Sequence, residues 1–525
     1  MSNPLDLPEI LGLIASYLSI KDIRTCVRVQ KSWRSTFEPL LWHTFIYPSS
    51  TKQKPKLVLV RQNAEHIRSL VIDRTEPTYL ATVFRSCRQL EEIIVRCHFS
   101  ELGRPSAAKD TMWSCFQEMV RENRNLRAIV LERTSDFGYR PLPRHRLLQA
   151  LQACSKLEVL QTAECQFNSN LSQSYFQAIS PNVKRLSSVL DSFQGFKVPR
   201  NLVFPNVRHL DLRNAKMPSR TQLFWIGCFP NLESLTWELD RSVPTTRFCQ
   251  LLSGCSQLKA LGLVIPNGAD AMTEALAVAP PLERLLLGGS GFKFPSFQTL
   301  KRHALTVKEI DLQYLWNVTS ALVQEILCLC PNLESITAED LNYRDIVKGP
   351  WACRNLRKFD VGISVDRGSM NAEQLHTLNQ YVYRRLAELK NLQCLSICNN
   401  GCGWEGSVYS LNRMMKVSSN AGFEQLQALK DLRLFSCKLA FDETLIIDEG
   451  EQLVQWMINH WKRLEVVEIT LKVSNHDYAN LNPMRRKLRR MLRARDIQVI
   501  DSKKSAEYTC DFAGDFEDDN IEVRM

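Results

Sequence analysis

Val207-Arg208-His209-Leu210-Asp211-Leu212 decides how this chain reads. Apolar residues stand at its first, fourth and sixth places. The same phrase returns as Leu232-Glu233-Ser234-Leu235-Thr236-Trp237, Leu258-Lys259-Ala260-Leu261-Gly262-Leu263 and Leu282-Glu283-Arg284-Leu285-Leu286-Leu287. Starts at 183, 207, 232, 258, 282, 307, 333 and 356 lie 23 to 26 residues apart. Weaker copies begin at Ile67, Leu90, Leu126 and Leu157, and again at Leu392, Leu429 and Leu464. The end of each phrase alternates with period two, as a strand with one buried face does. Between phrases run helical patterns such as Arg146 to Leu151 and Leu322 to Leu327.

One strand and one helix cannot bury their apolar faces alone, but stacked copies can. A period in this range resembles the leucine-rich repeat. The resemblance implies an α/β solenoid, a horseshoe with parallel strands on the concave face and helices on the convex face. A doubly wound βα domain also alternates strand and helix, but with longer apolar strands and less regular units.

At 525 residues the chain is too long for one compact core. No apolar run of about 18 residues suggests a membrane span, and the first residues lack a secretory pattern. Cysteine numbers 17, an odd count without a pairing pattern. Cys87, Cys154, Cys228, Cys255 and Cys330 each fall two to four residues before a phrase. Buried thiols at the helix-to-strand turn explain that placement, and a cytosolic or nuclear location is expected. The net charge is +11, but seven positive charges come from Arg485, Arg486, Lys487, Arg489, Arg490, Arg493 and Arg495. The rest carries 11 − 7 = +4, so nucleic acid is not the expected partner of the whole chain.

The N-terminal stretch reads as three short helices. Pro8 suits a first helical turn. Ser19 can cap a second helix with Asp22 as reciprocal partner, and Gln30 to Phe37 would form a third. The first helix is apolar around most of its circumference, through Ile10, Leu11, Leu13, Ile14, Tyr17 and Leu18. A surface helix needs only one apolar stripe. Some of that surface should meet another protein or the first repeats. Leu7-Pro8, Ile10-Leu11, Ile14, Leu18, Asp22-Ile23, Cys26, Val29, Lys31, Trp33 and Leu41-Trp42 together resemble an F-box. That module docks to a Skp-type adaptor in cullin-RING ubiquitin ligases. The resemblance implies adaptor contacts from Leu7, Pro8, Ile10, Leu11, Ile14, Leu18, Val29 and Trp33. Without it, the same helices read as a cap on the solenoid's open end.

The expected division is a helical domain over 1–47, a linker or first turn over 48–66, and repeats over 67–482. A basic capping helix follows over 483–500, then an acidic, disordered tail over 501–525. After 356 the repeats lengthen. A helical pattern covers Leu375 to Leu389, and a Gly-rich loop, Asn399 to Gly406, displays Trp404. Cys394, Cys398 and Cys402 lack a fourth ligand nearby, so no metal is expected. The basic stretch from Met484 to Arg495 reads as a terminal cap, with a nuclear-import or nucleic-acid role as the other reading.

No phosphate loop, zinc-binding His-Glu-x-x-His or nucleophile elbow is present. Neither catalysis nor a cofactor is expected. Positions on the free side of the strands are candidates for substrate contact: Asp211 and Arg213, Thr236 and Glu238, Asp311 and Gln313, Thr337 and Glu339, and Arg433 with Phe435. Their mixed charge fits a protein better than a phosphate backbone. The expectation is a substrate receptor of a Skp–cullin–F-box ubiquitin ligase with an unknown protein substrate. A repeat scaffold unconnected to ubiquitin is the other possibility.

Overall fold

In a computed structural model, the described residues are 7–47, 57–73, 77–96, 107–132, 144–162, 178–179, 181–188, 202–213, 219–239, 243–265, 269–290, 292, 294–315, 318–364, 371–397, 422–440, 446–472 and 487–500. The expected Trp404 loop, Cys398, Cys402, Arg485, Arg486 and the tail after 500 lie outside them. The chain divides into two compact units, residues 1–238 and 239–520. Each is an α/β solenoid.

The first unit opens with α1 (Pro8–Ala15), α2 (Ile20–Cys26) and α3 (Lys31–Trp42). Pro8 takes the first turn of α1. Ser19 and Asp22 form a capping box at α2. Leu11, Ala15, Ile23 and Phe37 make a small core, against which Leu18, Trp33, Leu40 and Leu41 pack. Among the described residues eight strands follow: β1 (Thr44–Tyr47), β2 (Ser69–Asp73), β3 (Glu92–Arg96), β4 (Ala128–Glu132), β5 (Val159–Thr162), β6 (Arg185–Ser188), β7 (His209–Leu212) and β8 (Ser234–Glu238). Each pairs in parallel with the next.

The second unit holds β9 (Ala260–Ile265), β10 (Arg284–Gly289), β11 (Glu309–Leu315), β12 (Ser335–Asn342), β13 (Lys358–Ser364), β14 (Cys394–Ser396), β15 (Leu434–Ala440), β16 (Val466–Lys472) and β17 (Gln498–Ile500). These too pair consecutively and in parallel. Successive helices pack on one another, as Thr245–Gly254 does on Ala269–Val278.

The register explains the phrase. Its fourth residues align: Leu210 with Leu235, Leu285 with Ile310, Ile336 with Phe359. All six are essentially inaccessible. The second residue of each phrase carries the lock between repeats. At most described junctions its carbonyl accepts two N–H groups from the next repeat. Glu283 O accepts Lys308 N at 2.7 Å and Glu309 N at 3.1 Å. Glu91 O accepts Arg127 N at 2.7 Å and Ala128 N at 3.1 Å. The side chains at that position alternate in sign along Arg68, Glu91, Arg127, Glu158 and Lys184, and along Lys259, Glu283, Lys308, Glu334 and Arg357. Lys184–Glu158 at 2.9 Å and Lys308–Glu283 at 2.8 Å are such pairs, as is Arg208–Glu233. They are solvated, so each contributes about 0.2–1 kcal/mol. Their alternation disfavours slipped neighbours.

Three strand assignments differ from the sequence reading. β1 falls within the expected helical domain. Its phrase, Trp42-x-x-Phe45-x-Tyr47, is written in aromatics, and Phe45 and Tyr47 are buried. The copy read from Leu429 starts at Leu432 instead, because Leu395 aligns with Phe435. Leu429-x-x-Leu432-x-Leu434 matches by coincidence. The functional phrase is Leu432-x-x-Phe435-x-Cys437, and all three residues are fully buried. β17 follows the basic helix at 487–493 and pairs with β16. Within 48–66, residues Leu57–Gln62 form a helix and Ala64–His66 a 3-10 turn.

The cysteines before each phrase are free and buried. Burial pushes the Cys87, Cys154 and Cys330 thiols up to about 12. Cys154 and Cys255 donate to carbonyls one helical turn back, at 3.5 and 3.4 Å. Asn123 occupies the equivalent place before Leu126. It staples two repeats, accepting Leu90 N–H at 2.6 Å and donating to Cys87 O at 3.0 Å. His303 does the same job in the second unit. Its Nδ1 accepts Leu282 N–H at 3.2 Å, so the Nε2–H faces Leu276 O at 3.0 Å.

Burial pushes the His303 pKa down. The unfolded chain therefore takes up a proton first as pH falls. The stability from this staple is full above the ordinary histidine range and declines as pH drops through it. Urea unfolding should show that decline between about pH 8 and pH 5. In His303→Phe two buried backbone groups lose their partners, each costing about 1–3 kcal/mol. Its stability should be lower at the higher pH, and its dependence on pH across that window flatter.

Candidate functional site

Two surfaces collect the candidate residues. The first is the outer side of the N-terminal helices. Spacing on α1 sorts its apolar residues into two stripes. Leu11, Ala15 and Leu18 face the helices' own core, with Leu11 fully buried against Phe37 and its neighbours. Leu7, Ile10, Leu13 and Tyr17 face outward. Tyr17 is 84% exposed, Leu13 62%, Leu7 45% and Ile10 39%. Val29, in the turn between α2 and α3, is 59% exposed. Pro8 is exposed; Ile14, Leu18 and Trp33 are half-buried.

The structure thus gathers Leu7, Pro8, Ile10 and Val29 among the exposed candidates and turns Leu11 inward. Leu13 and Tyr17, absent from the sequence-derived set, are the most exposed apolar side chains of the head. The signal for them was the helical spacing. Once Leu11, Ala15 and Leu18 take the inner side, positions 13 and 17 are left out in water. Trp33 packs its ring on Phe37, centroids 5.8 Å apart, and its indole N–H has no acceptor among the described residues.

The second surface is the free side of the strands. On β7, Asp211 is held by Arg213, through Nη2–Oδ2 at 2.7 Å and Nε–Oδ2 at 3.1 Å. Thr236 lies beside Asp211 in register, and Glu238 is half-buried at the end of β8. In the second unit Asp311 and Thr337 are register partners. Asp311 accepts the Gln313 N–H at 3.0 Å. Thr337 is only 8% exposed. Burial, and then the adjacent Asp340, push the Glu339 carboxyl up. Arg433 sits in the turn before β15, 4.0 Å from Glu465. Phe435 does not lie on this face. It is fully buried among Phe423 and Trp461, because the register of β15 is three residues later than its leucines suggest.

The basic helix at 487–493 buries Leu488 and Leu492 and leaves Arg490, Arg493 and Arg495 exposed. Lys487 pairs with Glu451. Among the described residues, no three His, Cys, Asp or Glu side chains are placed to hold a metal ion. No described helix is long and apolar enough to cross a membrane.

No family model matches the chain, and no curated protein matches it. Among solved structures it is similar to the Rad7 and Elc1 complex from yeast. That likeness has 9% identity, a TM-score of 0.35, and covers 95% of this chain and 94% of the other. It is also similar to a TLR13–ssRNA13 complex, at 16% identity and a TM-score of 0.28, over 78% of this chain and 62% of the other. Both TM-scores are low. The solenoid assignment rests on the strand register and the repeated phrase.

The two stripes of α1 should separate in mutants. Leu11→Ala should cost the head about 2–5 kcal/mol by leaving a cavity. Leu13→Ser and Tyr17→Ser should each change stability by less than about 0.5 kcal/mol. Denaturant unfolding of the full chain, followed by hydrogen exchange at residues 7–42, measures both.

Proposed function

We propose that this chain is a substrate receptor of a Skp–cullin–F-box type ubiquitin ligase, docking the adaptor through α1 to α3 and a protein substrate through the repeats. One observation carries the reading. A head of about 40 residues leaves Leu7, Ile10, Leu13, Tyr17 and Val29 in water while its own small core is already closed. A cap that merely sealed the stack would turn such side chains toward the repeats. Burying each against a partner is worth about 1.5–3 kcal/mol before the costs of association. The head resembles an F-box at Leu7-Pro8, Ile10, Ile14, Leu18, Val29 and Trp33, and the outward stripe coincides with part of that motif.

In this reading the chain itself performs no chemistry. It contributes proximity, holding a substrate lysine near an activated thioester borne by another subunit. The buried, free thiols suit a reducing location, cytosol or nucleus.

A scaffold unconnected to ubiquitin is the second reading, and adaptor capture separates the two. Tagged full-length chain should co-purify a Skp-type adaptor and a cullin from cells. Leu13→Asp with Tyr17→Asp should abolish that capture while thermal unfolding of the repeats is unchanged. Adaptor recovery equal to wild type from the double variant rules the proposed docking face out.

A further inference from the structure

Between Lys487 and Ile500 the chain carries Lys487, Arg489, Arg490, Arg493 and Arg495 against a single acid, Asp496. Lys487 is paired with Glu451. Arg490, Arg493 and Arg495 are exposed, and their guanidinium groups make no ion pair or hydrogen bond among the described residues. Leu488 and Leu492 turn inward, which holds these arginines on the outer side of the helix. Arg490 and Arg493 stand three residues apart and Arg489 and Arg493 four, spacings at which like charges repel on a helix. Along the repeats, by contrast, cations such as Lys184 and Lys308 stand against glutamates. The arginine face is therefore a concentration of positive charge that the described fold leaves unbalanced.

The same chain holds its complement. Asp511, Asp515, Glu517, Asp518, Asp519 and Glu522 supply six negative charges, with no Lys or Arg between 511 and 522. Phe512 and Phe516 stand among them, and a guanidinium stacks on an aromatic ring as readily as it pairs with a carboxylate. Distance is no obstacle. The 11 residues from Ile500 to Asp511 can span about 36–40 Å when extended, whereas Arg490 to Arg495 covers roughly 8 Å of helix. A tether of that kind holds the acids near the arginines at an effective concentration on the order of millimolar.

We propose that the acidic segment Asp511–Glu522 docks on the arginine face of Arg490, Arg493 and Arg495, and that it masks this face against external polyanions such as nucleic acid. The contact is electrostatic, so it weakens as salt rises. It gives the basic stretch two states, covered by its own chain or open to a phosphate backbone. It does not depend on the adaptor reading of the head.

Zero-length carbodiimide coupling reads the contact in the full chain. Arg490→Lys, Arg493→Lys and Arg495→Lys together keep the charge and give each position an amine that couples to a touching carboxylate. Mass spectrometry of the monomer should find links from these positions to the carboxylates of 511–522, at least about tenfold fewer in ~0.5 M salt. Links to the exposed Lys390 and Lys430 give the background and should be rarer. A fluorescein-labelled single-stranded DNA of about twenty nucleotides reads the masking by anisotropy. Replacing the six acids by Asn or Gln should tighten binding at least about tenfold. Adding Arg490→Gln, Arg493→Gln and Arg495→Gln should remove that gain. The lysine variants retain every charge, so the coupling result decides the matter if the neutral variants melt early. Absence of links in the monomer overturns the contact, as do links insensitive to salt or no more frequent than background. Wild-type DNA affinity in the chain with neutral acids overturns the masking. A gain that persists without the three arginines overturns the assignment of this face.

Discussion

Most described repeats of both units depend on a carbonyl oxygen that takes two N–H groups from the repeat beside it. The bond pair fixes which residues of adjacent strands face one another, so the apolar residues of each phrase land in one buried plane. No repeat can supply this bond to itself. Stability is therefore a sum over neighbours, and each stack needs something at its end. The helical head runs directly into β1 through the stacked pair Trp42 and Phe45, with centroids 6.1 Å apart. At the far end of the second unit, the helix at 487–493 lays Leu488 and Leu492 inward and leads into β17.

The periodic leucines made the fold legible, and they also mark where legibility stops. Where Leu holds the first, fourth and sixth places, as in Leu232-x-x-Leu235-x-Trp237, the phrase gives the strand and its face together. Where Phe and Cys take those places, as in Leu432-x-x-Phe435-x-Cys437, a nearby run of leucines imitates the phrase three residues early. That shift carried Phe435 from a core position to a surface candidate. Aromatics hid β1 for the same reason. The inter-repeat bonds of Asn123 and His303 had no local signature at all. Each side chain answers a backbone N–H at Leu90 or Leu282, more than 20 residues away in sequence.

The candidate surfaces were legible to different degrees. The head announced an excess of apolar surface, but which side faces water depended on which stripe the core claims. Leu11 went in, and Leu13 and Tyr17 came out. On the strands, alternation placed Asp211, Thr236, Asp311 and Thr337 on the free side. It could not reveal that Arg213 already neutralises Asp211, whereas the Thr337 side chain, on a residue only 8% exposed, makes no hydrogen bond among the described residues. That difference arises from neighbours brought into register by the fold.

The alternating charges at the second place of each phrase carry a rule of parity. Removing one repeat from the stretch Lys259, Glu283, Lys308, Glu334 and Arg357 would bring two like charges together. Removing two adjacent ones would restore the alternation. The array is thus more tolerant of being shortened or lengthened by pairs than by single units. Lys184 and Arg208 interrupt the pattern as consecutive cations, each turned to a glutamate on its other side. That junction is where an odd number of units could be spliced in or out at least electrostatic cost.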